Sequence, residues 1–484
     1  MDIFDKKLNP ALKSGAWINI EVLNAVIIIA LVSFLVLGGF TAGFVLPLFL
    51  ITMAVSFLIA LAYPRSGIYA TVFLTFIFER FFTLAPIYLG REEYKLYPLD
   101  IILAAVFIGA LLQITNFTKL RTIISEGKYL IIFMLLAGIH FLVDIFSGGT
   151  DKSIAFSSFK YYVFYPLIYF LILALFNRRE DVLRLLKFAL AGAVGVIFFI
   201  FYGIIFGGGL WTEFTPLSTS GMRILAFTHA FYISMAALAL WAWMLFEEKR
   251  SLWPNVLLAI WLIGIVGSMM RHLWIGLFFS AIAVYFLVSV ENRRIFWKKV
   301  FRYSVFAMIA IIAIFYISLV SPYYTRTAKV TDGAISSIEQ RIRSFSDVGG
   351  DESFSWRELV WKEVFKDYAE SPVWGIGFGK KIYVETDSYR DFVEVRDIHN
   401  SWLTLFMQTG PIIFAIFIIF LFKSFRNIFK RRSEDWINTA LLVLMLNYFI
   451  IALFQPYWET NMLGIFFWII LGLMGAVSLN LSEN

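Results

Sequence analysis

Ser401-Trp-Leu-Thr-Leu-Phe-Met-Gln-Thr-Gly-Pro-Ile-Ile-Phe-Ala-Ile-Phe-Ile-Ile-Phe-Leu421 contains no charged side chain. Wound as an α-helix, a segment of this length spans about 30 Å, the thickness of a bilayer's hydrocarbon core. What flanks it gives it a direction. His399-Asn400 stand before it, and Lys423, Arg426, Lys430, Arg431 and Arg432 follow it. An apolar stretch with a basic cluster at one end reads as a membrane span whose basic end stays in the cytoplasm.

The rest of the chain repeats that pattern. Hydrophobic residues make up 60% of the 484, charged residues only 15%, and 53 are phenylalanine. A soluble domain is nearer half apolar and a quarter charged. Hydrophobic runs place spans near 23–41, 44–63, 66–84, 99–115, 129–147, 160–176, 188–207, 226–246, 255–270, 272–290, 304–320, 401–421, 439–455 and 462–479. The expectation is therefore an all-α, polytopic transmembrane bundle of about fourteen spans with a large extracytoplasmic loop containing short helices. The span at 66–84 is the weakest, because Glu79 and Arg80 sit near its end. Residues 1–21 show no signal-peptide pattern, so the first span is expected to be retained.

About 23 Lys and Arg residues lie in alternate connections, including Arg65, the Arg178–Lys187 stretch, the Arg293–Arg302 stretch and the Lys423–Arg432 stretch. Assigned to the cytoplasm, they put both termini there. The segment 321–400 then faces outward, between an N-terminal bundle (1–320) and C-terminal helices (401–484) of one integrated membrane domain. A loop of that length is far longer than a connection requires, which points to function. Within it, 353–370 reads as a helix ending before Pro372, with Leu359, Trp361, Val364, Phe365 and Tyr368 as an apolar face to lie on the membrane or the bundle. The net charge of +7 is explained by topology, so no nucleic-acid partner is implied. With no cysteine, disulfides, thiolate metal sites and a thiol nucleophile are excluded.

Four segments on the expected outer face carry chemistry. They are Ser220-Gly-Met-Arg223, Gly267-Ser-Met-Met-Arg271, Trp356-Arg357 with Trp361 and then Pro372-Val-Trp-Gly-Ile-Gly-Phe-Gly379, and Asp397-Ile-His399-Asn400. An arginine between two hydrophobic spans is costly unless it is paired or faces a wet cavity, although capping or snorkelling would also explain Arg271. Gly375-Ile-Gly-Phe-Gly-Lys380 lacks Walker spacing and reads as a turn, with Lys380 a possible supporting cation. Glu385-Thr-Asp387 could ligate a metal, but without a partner cluster it reads as a solvated loop face. His140 and Asp144, four apart on a helix, are expected to form a buried polar group with Lys160. His229 and His272 read as packing residues.

Together the four segments resemble the O-antigen ligase and O-antigen polymerase superfamily of bacterial envelope glycosyltransferases, in detail over roughly 190–425. Thr228-His229 and Met270 depart from the pattern, where Pro-Asn and Ser are usual. The resemblance implies transfer of a glycan from undecaprenyl pyrophosphate to an acceptor hydroxyl at the outer face of a bacterial cytoplasmic membrane. It implies His399 as catalytic base, Arg271, Arg357 and Arg223 as pyrophosphate ligands, Asn400 and Lys380 as supporting residues, and a glycan or lipid A-core acceptor. No cofactor and no metal are expected. The chain is read as ligase-like. The alternatives are a polymerase of the same superfamily and, from another class, a polysaccharide or lipid transporter, which would place its functional charges at the midplane.

The orientation is directly testable because the chain has no native cysteine. Cysteine at Phe345 should react with an impermeant thiol reagent from outside the cytoplasmic membrane, whereas cysteine at Trp297 should not. The reverse pattern would invert the topology.

Overall fold

The computed structural model describes residues 19–42, 45–78, 87–89, 92–94, 97–113, 117–147, 150–176, 178–206, 225–247, 252–302, 352–385 and 390–480. The expected span at 304–320, the Arg223 motif and the segment 321–351 lie outside these. Among the described residues the helices are α1 (Ile20–Ala42), α2 (Leu46–Ala62), α3 (Pro64–Ile77), α4 (Pro98–Gln113), α5 (Phe117–Glu126), α6 (Lys128–Ser147), α7 (Lys152–Phe159), α8 (Leu167–Leu175), α9 (Arg179–Phe206), α10 (Phe227–Phe246), α11 (Trp253–Gly267), α12 (Arg271–Leu287), α13 (Glu352–Glu370), α14 (Ser401–Phe429), α15 (Trp436–Ile451) and α16 (Asn461–Asn480). A π-helical turn, Lys160–Phe164, follows α7. Among the described residues, seven helical segments are long and apolar enough to cross a bilayer, and five apolar helices are shorter.

Local sequence accounts for the helix ends. Pro64, Pro98 and Pro254 stand in first turns, where a missing N–H costs nothing. Asp151 and Asn400 cap α7 and α14 through their side chains. Two expectations need correcting. The third span ends at Ile77, short of Glu79 and Arg80. The fold is not purely helical either: Ile87–Leu89 (β1) pairs antiparallel with Glu92–Tyr94 (β2), and Lys381–Glu385 (β3) with Arg390–Glu394 (β4).

The bundle is organised around α16, which is apolar on all sides and has most of its residues buried. It packs on α8, α14 and α15; α3 lies on α9, and α10 and α12 lie on α15. By contrast α6 is only 22% buried. Its outward Leu135, Ile139, Leu142 and Phe146 form an apolar surface suited to lipid. Polar contacts distinguish the two ends. At one, Arg65 meets Glu21 and Asp181, Arg179 meets Asp435, and Lys423 meets Glu126. The basic connections thus share one end. Lys160 is buried towards the other, on Asp100 at 2.5 Å, and Tyr165 joins the same carboxylate. The expected grouping of Lys160 with His140 and Asp144 is therefore not formed.

Opposite the basic end, the late loop builds a small core of its own. Val360 and Val364 of α13 pack with Ile382, Val384, Val395, Ile398 and Met407. Each buried valine contributes about 1.5 kcal/mol or more. Val360, not the exposed Phe365, belongs to the packed face of α13. This core is fastened to the bundle where α14 kinks. Gly410 has φ +72°, and Pro411 has no N–H for the carbonyl of Met407. The carbonyls of Met407 and Gln408 instead accept the N–H groups of Ile376 and Gly377, at 2.9 and 3.1 Å. On its other side the glycine segment meets α6: Phe378 N–H donates to Asp144 at 2.6 Å, and His140 bridges Asp144 and the carbonyl of Trp374.

Gly377 has φ +85°, and a Cβ there would stand 2.6 Å from an Asp144 oxygen. Gly377→Ala should destabilise the folded protein by about 2 kcal/mol or more, from the left-handed conformation and the displaced carboxylate. Gly138→Ala, on the same α6 with nothing within 4 Å of its Cβ, should be neutral or mildly stabilising. Thermal unfolding of the two variants in one detergent reads the difference, and equal midpoints would refute this docking geometry.

Candidate active site

Arg357 and Trp361 share one face of α13, four residues apart. The Trp361 indole N–H donates to the carbonyl of Ile398 at 2.8 Å. The next residue, His399, has φ +57°. For a residue with a Cβ this left-handed conformation costs about 1–2 kcal/mol. Its neighbours enforce it: Ile398 is buried in the loop core, and the Asn400 side chain accepts the Leu403 N–H at 3.0 Å to start α14. His399 thus occupies a turn clamped on both sides. Its Nδ1 meets Oε1 of Gln455 at 2.8 Å, and its Nε2 makes no hydrogen bond among the described residues.

Gln455 belongs to a strap, residues 452–460, that joins α15 to α16. The strap is fixed to the first turn of α14. Ser401 N–H donates to the carbonyl of Ala452 at 2.9 Å, and Trp458 N–H donates to Ser401 Oγ at 3.1 Å. Ser401 Oγ donates to Glu459 at 2.5 Å, and Tyr162 Oη donates to the other oxygen of that carboxyl at 2.6 Å. Burial pushes the Glu459 carboxyl up to about 7, although both hydroxyl donors pull it the other way. The strap also carries Tyr457, whose hydroxyl lies 3.0 Å from Nε2 of His272.

His272 adjoins Arg271, the first residue of α12. Met269, two residues earlier, has φ +57°; Met269 and His399 are the two non-glycine residues at positive φ among the described residues. Both lie in turns that open helices at this end, and strain of this kind collects at functional sites. One strap therefore bonds His399 itself and the neighbour of Arg271. The starts of α12, α14 and α16 gather around it, and helix N-termini favour an anion.

Other residues singled out from sequence fall as follows. Arg223 lies outside the described residues. Asn400 is a helix cap. Lys380 stands 3.7 Å from Asp367, and Lys381 pairs with Asp151 at 2.6 Å. Glu385 pairs with Arg390 at the hairpin end. His229 bonds the carbonyl of Ile77 and stacks on Phe199, a packing role as expected. Sequence reading missed Gln455, Tyr457 and Glu459, because it ran a span to 455. The signal was there in Gln455-Pro-Tyr-Trp-Glu-Thr460, a polar stretch with an acid between two hydrophobic runs.

Residues 254–418, about a third of the chain, match the family model described as O-antigen ligase. The matched segment contains Arg271, Arg357, Lys380, His399 and Asn400, and supports the resemblance to the O-antigen ligase and polymerase superfamily. No curated protein matches the chain.

The raised Glu459 carboxyl makes a stability prediction. An unfolded glutamate titrates near 4.5 and the folded one near 7, so the folded protein holds an extra proton between these values. Stability should therefore fall as pH rises from about 4.5 to 7. Glu459→Gln, which mimics the neutral carboxyl, should flatten that part of the profile. Thermal midpoints of both proteins across this range test it, and parallel profiles would exclude Glu459 as the titrating group.

Proposed function

From the O-antigen ligase match over residues 254–418, we infer that this multi-pass membrane protein is a glycosyltransferase. It moves a glycan from undecaprenyl pyrophosphate to an acceptor hydroxyl on a lipid A-core or other envelope glycan. The observation that carries the reading is the His399 turn: a strained histidine, held at Nδ1, on the strap that also bonds the neighbour of Arg271. The basic end of the bundle is then cytoplasmic, and the late loop and the bundle act as one unit at the outer membrane face.

The chemistry needs two things from the protein. As the bond between the sugar carbon and phosphate oxygen breaks, negative charge builds on the departing pyrophosphate. Arg271 and Arg357, with Arg223 as a third cation, receive it through the planar guanidinium fork. The nearby helix N-termini add fixed partial positive charge. As the acceptor oxygen bonds to the sugar carbon, its proton passes to Nε2 of His399. Imidazole suits the task because it accepts a proton near neutral pH. Preorganised cations perform the electrostatic work that a bound metal performs in other transferases, so the reaction requires no divalent ion.

Purified protein is incubated with an undecaprenyl-pyrophosphate glycan and a lipid A-core acceptor, and products are identified by mass. His399→Ala should lower the turnover rate roughly 10²–10⁴-fold while leaving membrane insertion intact. Arg271→Lys should also impair transfer, since lysine keeps the charge but loses the fork. Wild-type turnover should persist in excess EDTA. Full activity of His399→Ala would end the base assignment, and loss of turnover in EDTA with rescue by one metal would end the arginine account.

A further inference from the structure

The strap offers His399 a partner with no charge of its own. Gln455 is half-buried, and the backbone around it is fixed: its carbonyl accepts the Tyr457 N–H at 2.9 Å and lies 3.2 Å from Ser401 Oγ. Ser401 in turn is bonded to Ala452, Trp458 and Glu459. The amide side chain therefore projects from a rigid loop onto a histidine whose own backbone is clamped by Ile398 and Asn400.

The contact is between Nδ1 of His399 and Oε1 of Gln455, at 2.8 Å. With the amide oxygen facing the ring, Nδ1 carries the proton, because an amide oxygen only accepts. In a neutral imidazole the lone pair then lies on Nε2. We propose that Gln455 is the positioning residue of the transfer site, holding His399 in the Nδ1–H tautomer so that Nε2 alone is basic. This rests on the functional reading above and adds which nitrogen takes the acceptor proton and what selects it. A carboxylate in the same place would also hold Nδ1–H, but it would bring a negative charge near the departing pyrophosphate. The neutral amide sets the tautomer without adding to that charge. The alternative amide orientation, with the Gln455 nitrogen donating to Nδ1, would put the proton on Nε2 and leave His399 unable to act as a base there.

The test reads the tautomer directly and does not depend on turnover. The full chain, labelled with ¹⁵N-histidine and reconstituted in lipid, contains four histidines. The His399→Ala variant identifies the His399 signals by difference. At a pH where the ring is neutral, Nδ1 should be protonated and Nε2 unprotonated. Gln455→Leu should lose that preference and lower kcat about tenfold or more, with the KM for the lipid-linked donor little changed. Gln455→Glu, which keeps an acceptor oxygen but adds a negative charge, should retain the Nδ1 proton and shift the loss of the imidazolium proton to higher pH, and so report on the contact if the leucine variant fails to fold. A protonated Nε2 in the wild-type protein, an unaltered tautomer in Gln455→Leu, or an imidazolium in Gln455→Glu that loses its proton at the same pH as in the wild type would overturn the proposal. An Nδ1–H signal dependent on Gln455 in a protein that transfers no glycan would leave the positioning role standing and overturn the functional reading instead.

Discussion

Two backbone hydrogen bonds hold together the end of this structure opposite the basic connections. Pro411 leaves the Met407 carbonyl without its helical donor, and the Gly410 kink turns that carbonyl and its neighbour on Gln408 outward. The N–H groups of Ile376 and Gly377 fill them. Met407 and Gln408 are buried, and an unfilled buried carbonyl is expensive because no water reaches it to replace the lost bond. The kink and the glycine segment therefore require each other. Through this contact the late loop is tied to α14, and through His140 and Asp144 it is tied to α6, far away in sequence.

The consequence for the candidate site is rigidity. With the glycine segment seated, α13 is held against the start of α14, and Trp361 reaches the Ile398 carbonyl. His399 is then confined to a left-handed turn that it would not adopt alone. The strap between α15 and α16 closes the arrangement from the other side. It contributes Gln455 to His399, Tyr457 to His272 and Glu459 to Ser401. Strain at His399 and Met269 is sustained by the bonds around them, a way to fix a functional group more narrowly than packing alone permits.

Most of the membrane architecture was legible in the sequence because its cause is local. A helix of sufficient apolar length satisfies its own backbone in lipid, and basic residues mark one end of each pair of spans. The described helices accordingly follow the hydrophobic runs. Where the reading erred, the determining contact was remote. Lys160 goes to Asp100 rather than Asp144, because Asp144 is occupied by the N–H of Phe378 and by His140. Val360 replaces Phe365 in the packed face of α13, because the partner surface is a hairpin whose pairing a helix-by-helix reading does not supply.

By itself the sequence determined that the chain is a multi-span helical membrane protein, that His399 opens a span, that Arg271 stands between two hydrophobic spans and that Arg357 lies in the late loop. Those facts follow from hydrophobic length, charge placement and residue type. Only the tertiary structure decided which groups touch His399 and what seats the loop. The partners are remote in sequence: two helices lie between His399 and Gln455, and a hairpin lies between the glycine segment and the Met407–Gln408 carbonyls. Hydrogen bonds of that kind depend on where helices end in space, and neither periodicity nor composition encodes it.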